Sequence, residues 1–157
     1  MNLEKYAQLA FFNGLATADV RLLEPFFAPQ SWVAGTLVFE QGDYADYLYL
    51  VARGEVTIRY RPDDGPAITV TRVQPGGIFG WSAAMGNPSY TCQAVCTLDS
   101  EVLRVRGADL RMLCEKHTDL GQVILARLTA VVAERKQSQQ MQVSAMLANG
   151  IRQQPKG

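Results

Sequence analysis

Uncharged residues that could bind a ligand are concentrated in one stretch, GGIFGWSAAMGNPSYTCQA, at residues 76–94. Its glycines and small side chains are typical of a loop that lets a phosphate approach the backbone. Hydroxyl donors stand at Ser82, Ser89, Tyr90 and Thr91, but the stretch contains no charged residue. An anion bound here would lack the charge-assisted hydrogen bond that Arg or Lys provides. The stretch therefore predicts either an altered ligand site or a loop that no longer binds one.

Residue sets for catalysis or metal binding are missing from the sequence. The only histidine, His117, follows Lys116 just before a helical segment, where we expect a solvated residue. A metal-dependent β-roll enzyme needs several converging His or carboxylate ligands. Cys92 and Cys96 could face one way on a strand, yet without a partner cluster we expect them to be packing residues. These observations predict a protein that is not an enzyme.

Composition predicts a single globular domain that functions in the cytoplasm. The 157 residues are 48% hydrophobic and 19% charged, and no apolar run is long enough to cross a membrane. Three cysteines leave at least one unpaired, which fits a reducing compartment. The fifteen basic residues balance the fifteen acidic ones, and residues 119–157 carry five basic and two acidic residues. This footprint is too weak to predict DNA binding by this chain alone.

The hydrophobic periodicity divides the chain into four parts. Residues 1–30 are expected to form amino-terminal helices, with a helix start at Thr17, and residues 31–107 a β unit. Residues 108–148 are expected to be helical, and residues 149–157 a tail. Apolar residues at helical spacing, Leu120, Ile124, Leu128, Val131 and Val132, predict a long helix that runs to about Leu147.

Alternation of apolar and polar residues predicts several strands between residues 31 and 107. Val56, Ile58 and Tyr60 are expected on one buried face of a strand. The turn at residues 63–66 leads into Ile68 and Val70, so the pair predicts a hairpin. Leu103 and Val105 alternate with arginines in the same manner near the end of the region.

The succession VFEQGDYADYLYLVARGEVTIRYR at residues 38–61 resembles the β-roll of the cyclic nucleotide-binding domain, the effector domain of Crp/Fnr-type regulators. Its specific part is the spacing of Gly42 and Gly54 around the apolar run at residues 48–51. The resemblance covers roughly residues 10–140 and includes PGGIFG at residues 75–80. It implies a mainly β fold with flanking helices: a jelly-roll-like double-stranded β-helix with amino-terminal helices and a long carboxy-terminal helix.

The same resemblance implies where a ligand would bind. Typical members have Phe-Gly-Glu at the start of a short helix and, about ten residues later, an Arg that contacts the cyclic phosphate. Phe79 and Gly80 match, whereas Trp81 replaces the ribose-binding Glu and Tyr90 replaces the phosphate-binding Arg. Thr91 matches a hydroxyl position, and amides near Trp81 could still receive an anion. The implied ligand-binding residues are Phe79, Gly80, Trp81, Ser82, Ala83, Tyr90, Thr91 and Arg135, the last being a cation on the long helix that could replace the missing Arg.

These features predict a non-catalytic small-molecule sensor or regulatory domain with an atypical pocket that accepts a cyclic nucleotide in an altered pose or a less charged molecule. The resemblance also implies a homodimer through the stripe Leu120, Ile124, Leu128 and Val131, although that stripe could instead pack on its own β-roll. The alternative is a module of the same fold whose pocket is filled by Trp81 and Tyr90 and which acts in protein–protein interaction.

Overall fold

The computed structural model describes residues 3–6, 8–9 and 11–130, in which eight strands lie between helical segments. The helical segments are 3₁₀ turns at Leu3–Tyr6 and Glu24–Phe26, helix α1 (Thr17–Leu23), helix α2 (Gly107–Lys116), and helix α3, which begins at residue 118 and is described to residue 130. The strands are β1 (Phe27–Trp32), β2 (Leu37–Phe39), β3 (Tyr47–Arg53), β4 (Val56–Tyr60), β5 (Ile68–Val73), β6 (Ile78–Phe79), β7 (Gln93–Cys96) and β8 (Ser100–Arg106).

The strands form two four-stranded antiparallel sheets that face each other. Sheet A has the order β1-β8-β3-β6, and sheet B has the order β2-β7-β4-β5. Except for β4 and β5, neighbouring strands in each sheet are distant in sequence, as the pairing of β1 with β8 and of β2 with β7 shows. This arrangement is the jelly-roll type of β-roll that the sequence predicted, and β4 and β5 form the predicted hairpin.

Sheet A is covered on both faces, which explains the continuous apolar run at residues 48–51. Leu48 and Leu50 belong to a helix-side core with α2 and α3, whereas Tyr49 and Val51 belong to an inter-sheet core between the two sheets. Successive side chains on a strand point to opposite faces, so a strand buried on both sides has no polar alternation. All four residues are buried.

The two ends of the described chain meet at the helix-side core. Phe11 and Phe12 pack edge to face there, with ring centroids 5.2 Å apart. From α3, Arg127 donates hydrogen bonds to the carbonyls of Phe11 (2.9 Å) and Asn13 (2.7 Å). These bonds join the amino-terminal segment to α3 across more than a hundred residues of sequence.

Two predicted strand features differ from the structure. Strand β1 begins at Phe27 rather than after residue 30, because residues 27–32 pair with β8 at the edge of sheet A, a position that tolerates Pro29. Tyr60 is not on the buried face; its side chain is 43% exposed. The pairing of β4 with β5 shifts between Ile58 and Arg59, and this irregularity ends the alternation.

The apolar stripe of α3 faces its own domain. Leu120 and Ile124 are buried in the helix-side core, and Leu128 packs against it. Leu120 and Ile124 are therefore committed to the helix-side core, because the outer face of sheet A needs an apolar cover and α3 supplies part of it, whereas Leu128 is only half-buried. Val131 and Val132, together with the predicted extension to Leu147, lie outside the described residues.

Gly54 occupies a turn that no other residue fits without strain, which allows a paired stability test. Its φ is 91°, and a Cβ there would overlap Ser100 Oγ and the carbonyl of Asp99. Gly35 has the same φ, but a Cβ there would meet no atom within 4 Å. We expect Gly35→Ala to cost about 1–2 kcal/mol from the left-handed backbone, and Gly54→Ala to cost about 1–3 kcal/mol more from the overlap. Urea unfolding of both variants measures the difference; equal losses would contradict this account.

Candidate functional site

A small cavity lies beside the stretch that contains the predicted ligand-binding residues. It measures about 130 Å³ and is lined by Phe39, Gly80, Trp81, Ser82, Tyr90, Thr91 and Cys92. The structure thus brings five of the eight predicted residues together around one pocket. Phe79 and Ala83 are buried behind it in the inter-sheet core, and Arg135 lies outside the described residues.

Tyr90 fills the side of this pocket where the resemblance placed a phosphate-binding arginine. Its ring stacks on Phe39 with 3.6 Å between the centroids and 9° between the planes, and the residue is only 4% exposed. Its hydroxyl donates to the carbonyl of Tyr47 (2.5 Å) and accepts from the amide of Tyr47 (3.0 Å). The side chain is therefore held by its ring and by its hydroxyl.

The backbone of Tyr90 is fixed as firmly as its side chain. Its amide donates to the carbonyl of Asp43 (2.9 Å), and its carbonyl accepts from the amide of Gly42 (2.8 Å). The amide of Ala45 donates to the carbonyl of Pro88 (3.0 Å). The turn at residues 42–45 thus aligns the loop that carries Tyr90 with the start of β3.

Gly80 lets the backbone of the pocket wall pass close to the rings of Tyr49 and Tyr90. A Cβ at Gly80 would lie 2.9 Å from the carbonyl oxygen of Tyr47, 3.0 Å from a ring carbon of Tyr49 and 3.4 Å from a ring carbon of Tyr90. Its φ of 75° also lies in the left-handed region that favours glycine. The resemblance assigned Gly80 to ligand binding, whereas in this chain it also makes room for the chain's own tyrosines.

The residues after Gly80 form turns rather than the short helix that the resemblance implied. Residues 81–86 contain a single hydrogen bond of helical spacing, from the amide of Met85 to the carbonyl of Trp81 at 3.2 Å. Pro88 disfavours helical geometry at the residue before it, so a helix cannot extend further. The amide of Ala83 is already bonded to the carbonyl of Gly80 (3.2 Å). The Ala83 amide is therefore not free to receive an anion.

Trp81 and Tyr90 differ in their surroundings, although the sequence treated them as a pair. Trp81 is half-buried, borders the cavity and packs against the helix-side core. Tyr90 packs within the inter-sheet core. Of the two, only Tyr90 therefore packs inside the β-roll.

The electrostatic character of the pocket is neutral. None of its seven lining residues in the described part of the chain carries a charge. Burial raises the pKa of the Tyr90 hydroxyl above its ordinary value. The hydrogen bond from the backbone of Tyr47 lowers this pKa, but by less than burial raises it. Tyr90 is therefore a neutral phenol at physiological pH. A phosphate entering this pocket would lose hydration without meeting an opposite charge.

Sequence reasoning gave no role to Phe39 or to a cysteine in this site. Phe39 supplies the surface on which Tyr90 stacks, and Cys92 lines the cavity. The sequence signal for Phe39 was its place at the end of β2, just before the Gly42 turn that holds Tyr90. Cys96, in contrast, is buried in the inter-sheet core, where packing was its predicted role.

The other candidate groups lie away from the pocket. His117 is exposed at the end of α2, as expected for a solvated residue. Within residues 3–6, 8–9 and 11–130, no group of three or more His, Cys, Asp or Glu side chains is placed to hold a metal ion. The helices of the same residues include none that is long and apolar enough to cross a membrane.

The Tyr90 hydroxyl can be tested by a substitution that keeps the ring. We expect Tyr90→Phe to lower the free energy of unfolding by about 1–3 kcal/mol, because the amide and carbonyl of Tyr47 lose a partner. Tyr44→Phe is the matched control, since Tyr44 is 76% exposed, and should change stability by less than about 0.5 kcal/mol. Urea unfolding measures both. Equal stability of Tyr90→Phe and the wild type would show that these hydrogen bonds contribute nothing.

The raised pKa of Tyr90 also predicts how stability depends on pH. The unfolded chain loses this proton near pH 10, whereas the folded chain keeps it to higher pH. The contribution is therefore fully present below pH 10 and is lost as the pH rises through the folded pKa, by at most about 1.4 kcal/mol per pH unit. We expect a shallower loss in Tyr90→Phe, measured by urea unfolding at pH 8, 10 and 11. Burial also raises the pKa of Tyr49, so part of the loss should remain.

Comparison with known proteins connects this geometry to a family. The family model for the cyclic nucleotide-binding domain matches residues 29–117. The chain is 29% identical over 124 residues to the cyclic AMP receptor protein of Thermus thermophilus, covering 79% of this chain and 56% of that protein. It is 29% identical over 91 residues to the cAMP-dependent protein kinase regulatory subunit of Blastocladiella emersonii, covering 58% of this chain and 23% of that protein.

A solved structure shows the same fold over nearly the whole of its own length. This protein from Geobacter metallireducens GS-15, provisionally named a cyclic nucleotide-binding protein, has a TM-score of 0.75 and 30% identity, covering 86% of this chain and 98% of that one. The relatives named as receptor and regulatory subunit are regulators rather than enzymes. The matched β-roll and the similarity on both sides of it show that this chain belongs to the cyclic nucleotide-binding domain family.

Proposed function

We propose that this chain is a non-catalytic regulatory domain that senses a small uncharged molecule rather than a cyclic nucleotide bound in the usual manner of the family. The observation that carries this proposal is the neutral pocket, in which Tyr90 stands where the resemblance places an arginine. A neutral ring compound could stack on the aromatic walls and use the hydroxyls of Ser82 and Thr91.

The family relatives support the regulatory part of the proposal. A receptor protein and a kinase regulatory subunit are named among them. The chain spans about half the length of the Thermus relative and a quarter of the Blastocladiella relative. The balanced charge of this chain favours a protein target over DNA.

Contacts between the pocket and the helices provide a route by which ligand binding could act. The guanidinium of Arg111 on α2 donates to the carbonyl of Ala83, beside the pocket turn, and to that of Ala84 at 3.4 Å. At the start of α2, Gly107 lies so close to Ala83 that a Cβ there would overlap its carbonyl. A ligand that moves residues 81–86 would therefore also displace α2.

The proposed dimer requires a different face of α3 from the one first expected. Leu125 is 64% exposed, whereas Leu120 and Ile124 are committed to the helix-side core. We propose that a homodimer forms through the face of α3 that presents Leu125. Sedimentation equilibrium should give a dimer mass for the wild type and a mass shifted towards the monomer for Leu125→Arg. A dimer that Leu125→Arg leaves intact would refute this face.

A second function, a ligand-free module for protein–protein interaction, is supported by the size of the cavity. Its volume of about 130 Å³ lies below the roughly 300–1,000 Å³ of typical ligand pockets. The stacked and hydrogen-bonded Tyr90 would have to move for a larger ligand. The two functions make opposite predictions for a ligand screen.

Thermal melting against ligand panels separates these functions. We expect neutral bases, nucleosides or small aromatic metabolites to include a compound that raises the melting temperature by about 5–10 °C at 100 times its dissociation constant. Millimolar cyclic AMP and cyclic GMP should give no shift, because their phosphate would meet no cation. A shift with a cyclic nucleotide would refute the neutral-ligand proposal, and no shift with any compound would favour the ligand-free module.

Restoring the two missing polar ligands provides a gain-of-function control. We expect the double variant Trp81→Glu and Tyr90→Arg to acquire a melting shift with cyclic AMP, because an arginine facing the phosphate and a ribose-binding carboxylate return to the pocket. Tyr44→Arg adds the same charge at an exposed position and should gain nothing. A folded double variant that remains insensitive to cyclic AMP would show that Tyr90 does not occupy the arginine position.

A further inference from the structure

A second and larger cavity lies between α2, α3 and the turn at residues 81–86. This α2–α3 groove measures about 380 Å³, within the range of typical small-molecule pockets. Its walls are largely apolar, with Leu110 and Cys114 from α2 and Ile124, Leu125 and Leu128 from α3. None of these residues lines the pocket beside Tyr90, so the two cavities are separate.

A single positive charge marks one side of the groove. Arg111 is the only charged residue among those described as lining it. One nitrogen, Nη1, makes both hydrogen bonds to the carbonyls of Ala83 and Ala84. Within the described part of the chain, Nε and Nη2 of Arg111 make no hydrogen bond, and Arg111 has no acidic partner within 4.0 Å. A guanidinium with two unused donors beside apolar walls matches a molecule with an apolar body and an anionic end.

We propose that the α2–α3 groove binds a small amphipathic acid. Its apolar chain would lie against Leu110, Ile124 and Leu128, and its carboxylate would accept hydrogen bonds from Arg111. The site goes beyond the neutral-ligand pocket and does not depend on it. Arg111 also donates a hydrogen bond to the turn at residues 81–86, which borders the Tyr90 pocket. A ligand in the groove would therefore act on this turn from the side opposite to the Tyr90 pocket.

The cysteines offer a direct readout of both cavities. Cys114 lines the α2–α3 groove and Cys92 lines the Tyr90 pocket, and both are half-buried. Alkylation of the full-length protein by N-ethylmaleimide, followed for each cysteine by peptide mass spectrometry, therefore reports occupancy site by site. Burial raises the pKa of the Cys114 thiol, so the reaction is best followed at mildly alkaline pH.

Decanoate is the probe for this experiment. At ten times its dissociation constant we expect it to slow Cys114 alkylation about tenfold and to leave Cys92 unchanged. Affinity should rise about fourfold for each methylene from hexanoate to decanoate, as burial of the chain predicts. Protection of neither cysteine, or of both equally, would overturn the proposal. The neutral-ligand screen is independent, because its ligand should protect Cys92 and not Cys114.

Two variants test the carboxylate contact. Arg111→Met should weaken decanoate binding at least tenfold and leave the protection of Cys114 by uncharged decanol unchanged. Arg61→Met, at an exposed arginine outside the groove, should not change decanoate binding. Thr118→Glu places a second carboxylate at the groove and should also weaken decanoate binding, because the two negative charges repel each other. Its matched control is Thr17→Glu at the exposed first residue of α1. Decanoate protection that survives both groove variants would overturn the role of Arg111.

Other occupants of the groove give different results in the same assay. Leu125 also belongs to the proposed dimer face, so a second copy of the chain would compete with the acid for the groove. Protection of Cys114 that grows with protein concentration, and that decanoate does not increase at low protein concentration, would identify the second copy as the only occupant. Protection that is independent of concentration and lost in mild urea would identify residues 131–157 of the same chain. Either result would overturn the proposed ligand site.

Discussion

The burial of sheet A on both faces is the constraint on which the rest of the structure depends. Its inner face needs sheet B, and its outer face needs α2, α3 and the amino-terminal segment. Because α3 covers that outer face with Leu120 and Ile124, these residues are not available to a partner. The inter-sheet core on the other side extends without a break into the pocket through Phe79, Ala83 and Tyr90.

Within that core, the framework that holds the Tyr90 loop does not depend on the side chain at that position. The backbone hydrogen bonds that fix Tyr90 are made by peptide groups at residues 42 and 43, which act whatever side chain the loop carries. An aromatic ring can therefore replace a cation while the loop keeps its path. In this chain, ring stacking on Phe39 and two hydrogen bonds to Tyr47 hold the Tyr90 side chain in place.

Local patterns predicted the fold well, and contacts between distant segments explain where they failed. The hairpin of β4 and β5 follows from alternation and turn chemistry, and the continuous apolar run at residues 48–51 indicates a strand buried on both faces. The start of β1 depends on pairing with β8, more than seventy residues away, which no local pattern contains. At the site, the family resemblance identified Tyr90 and Trp81, but not that one packs between the sheets and the other against the helices.

The hydrogen bonds of Arg127 to Phe11 and Asn13 bring the entry and the exit of the domain side by side. A unit whose entry and exit are adjacent can be inserted between two other segments of a protein without stretching either connection. It also transmits force poorly along the chain, because a pull on both ends first loads these bonds and not the β-roll. The domain is thus suited to insertion as a cassette.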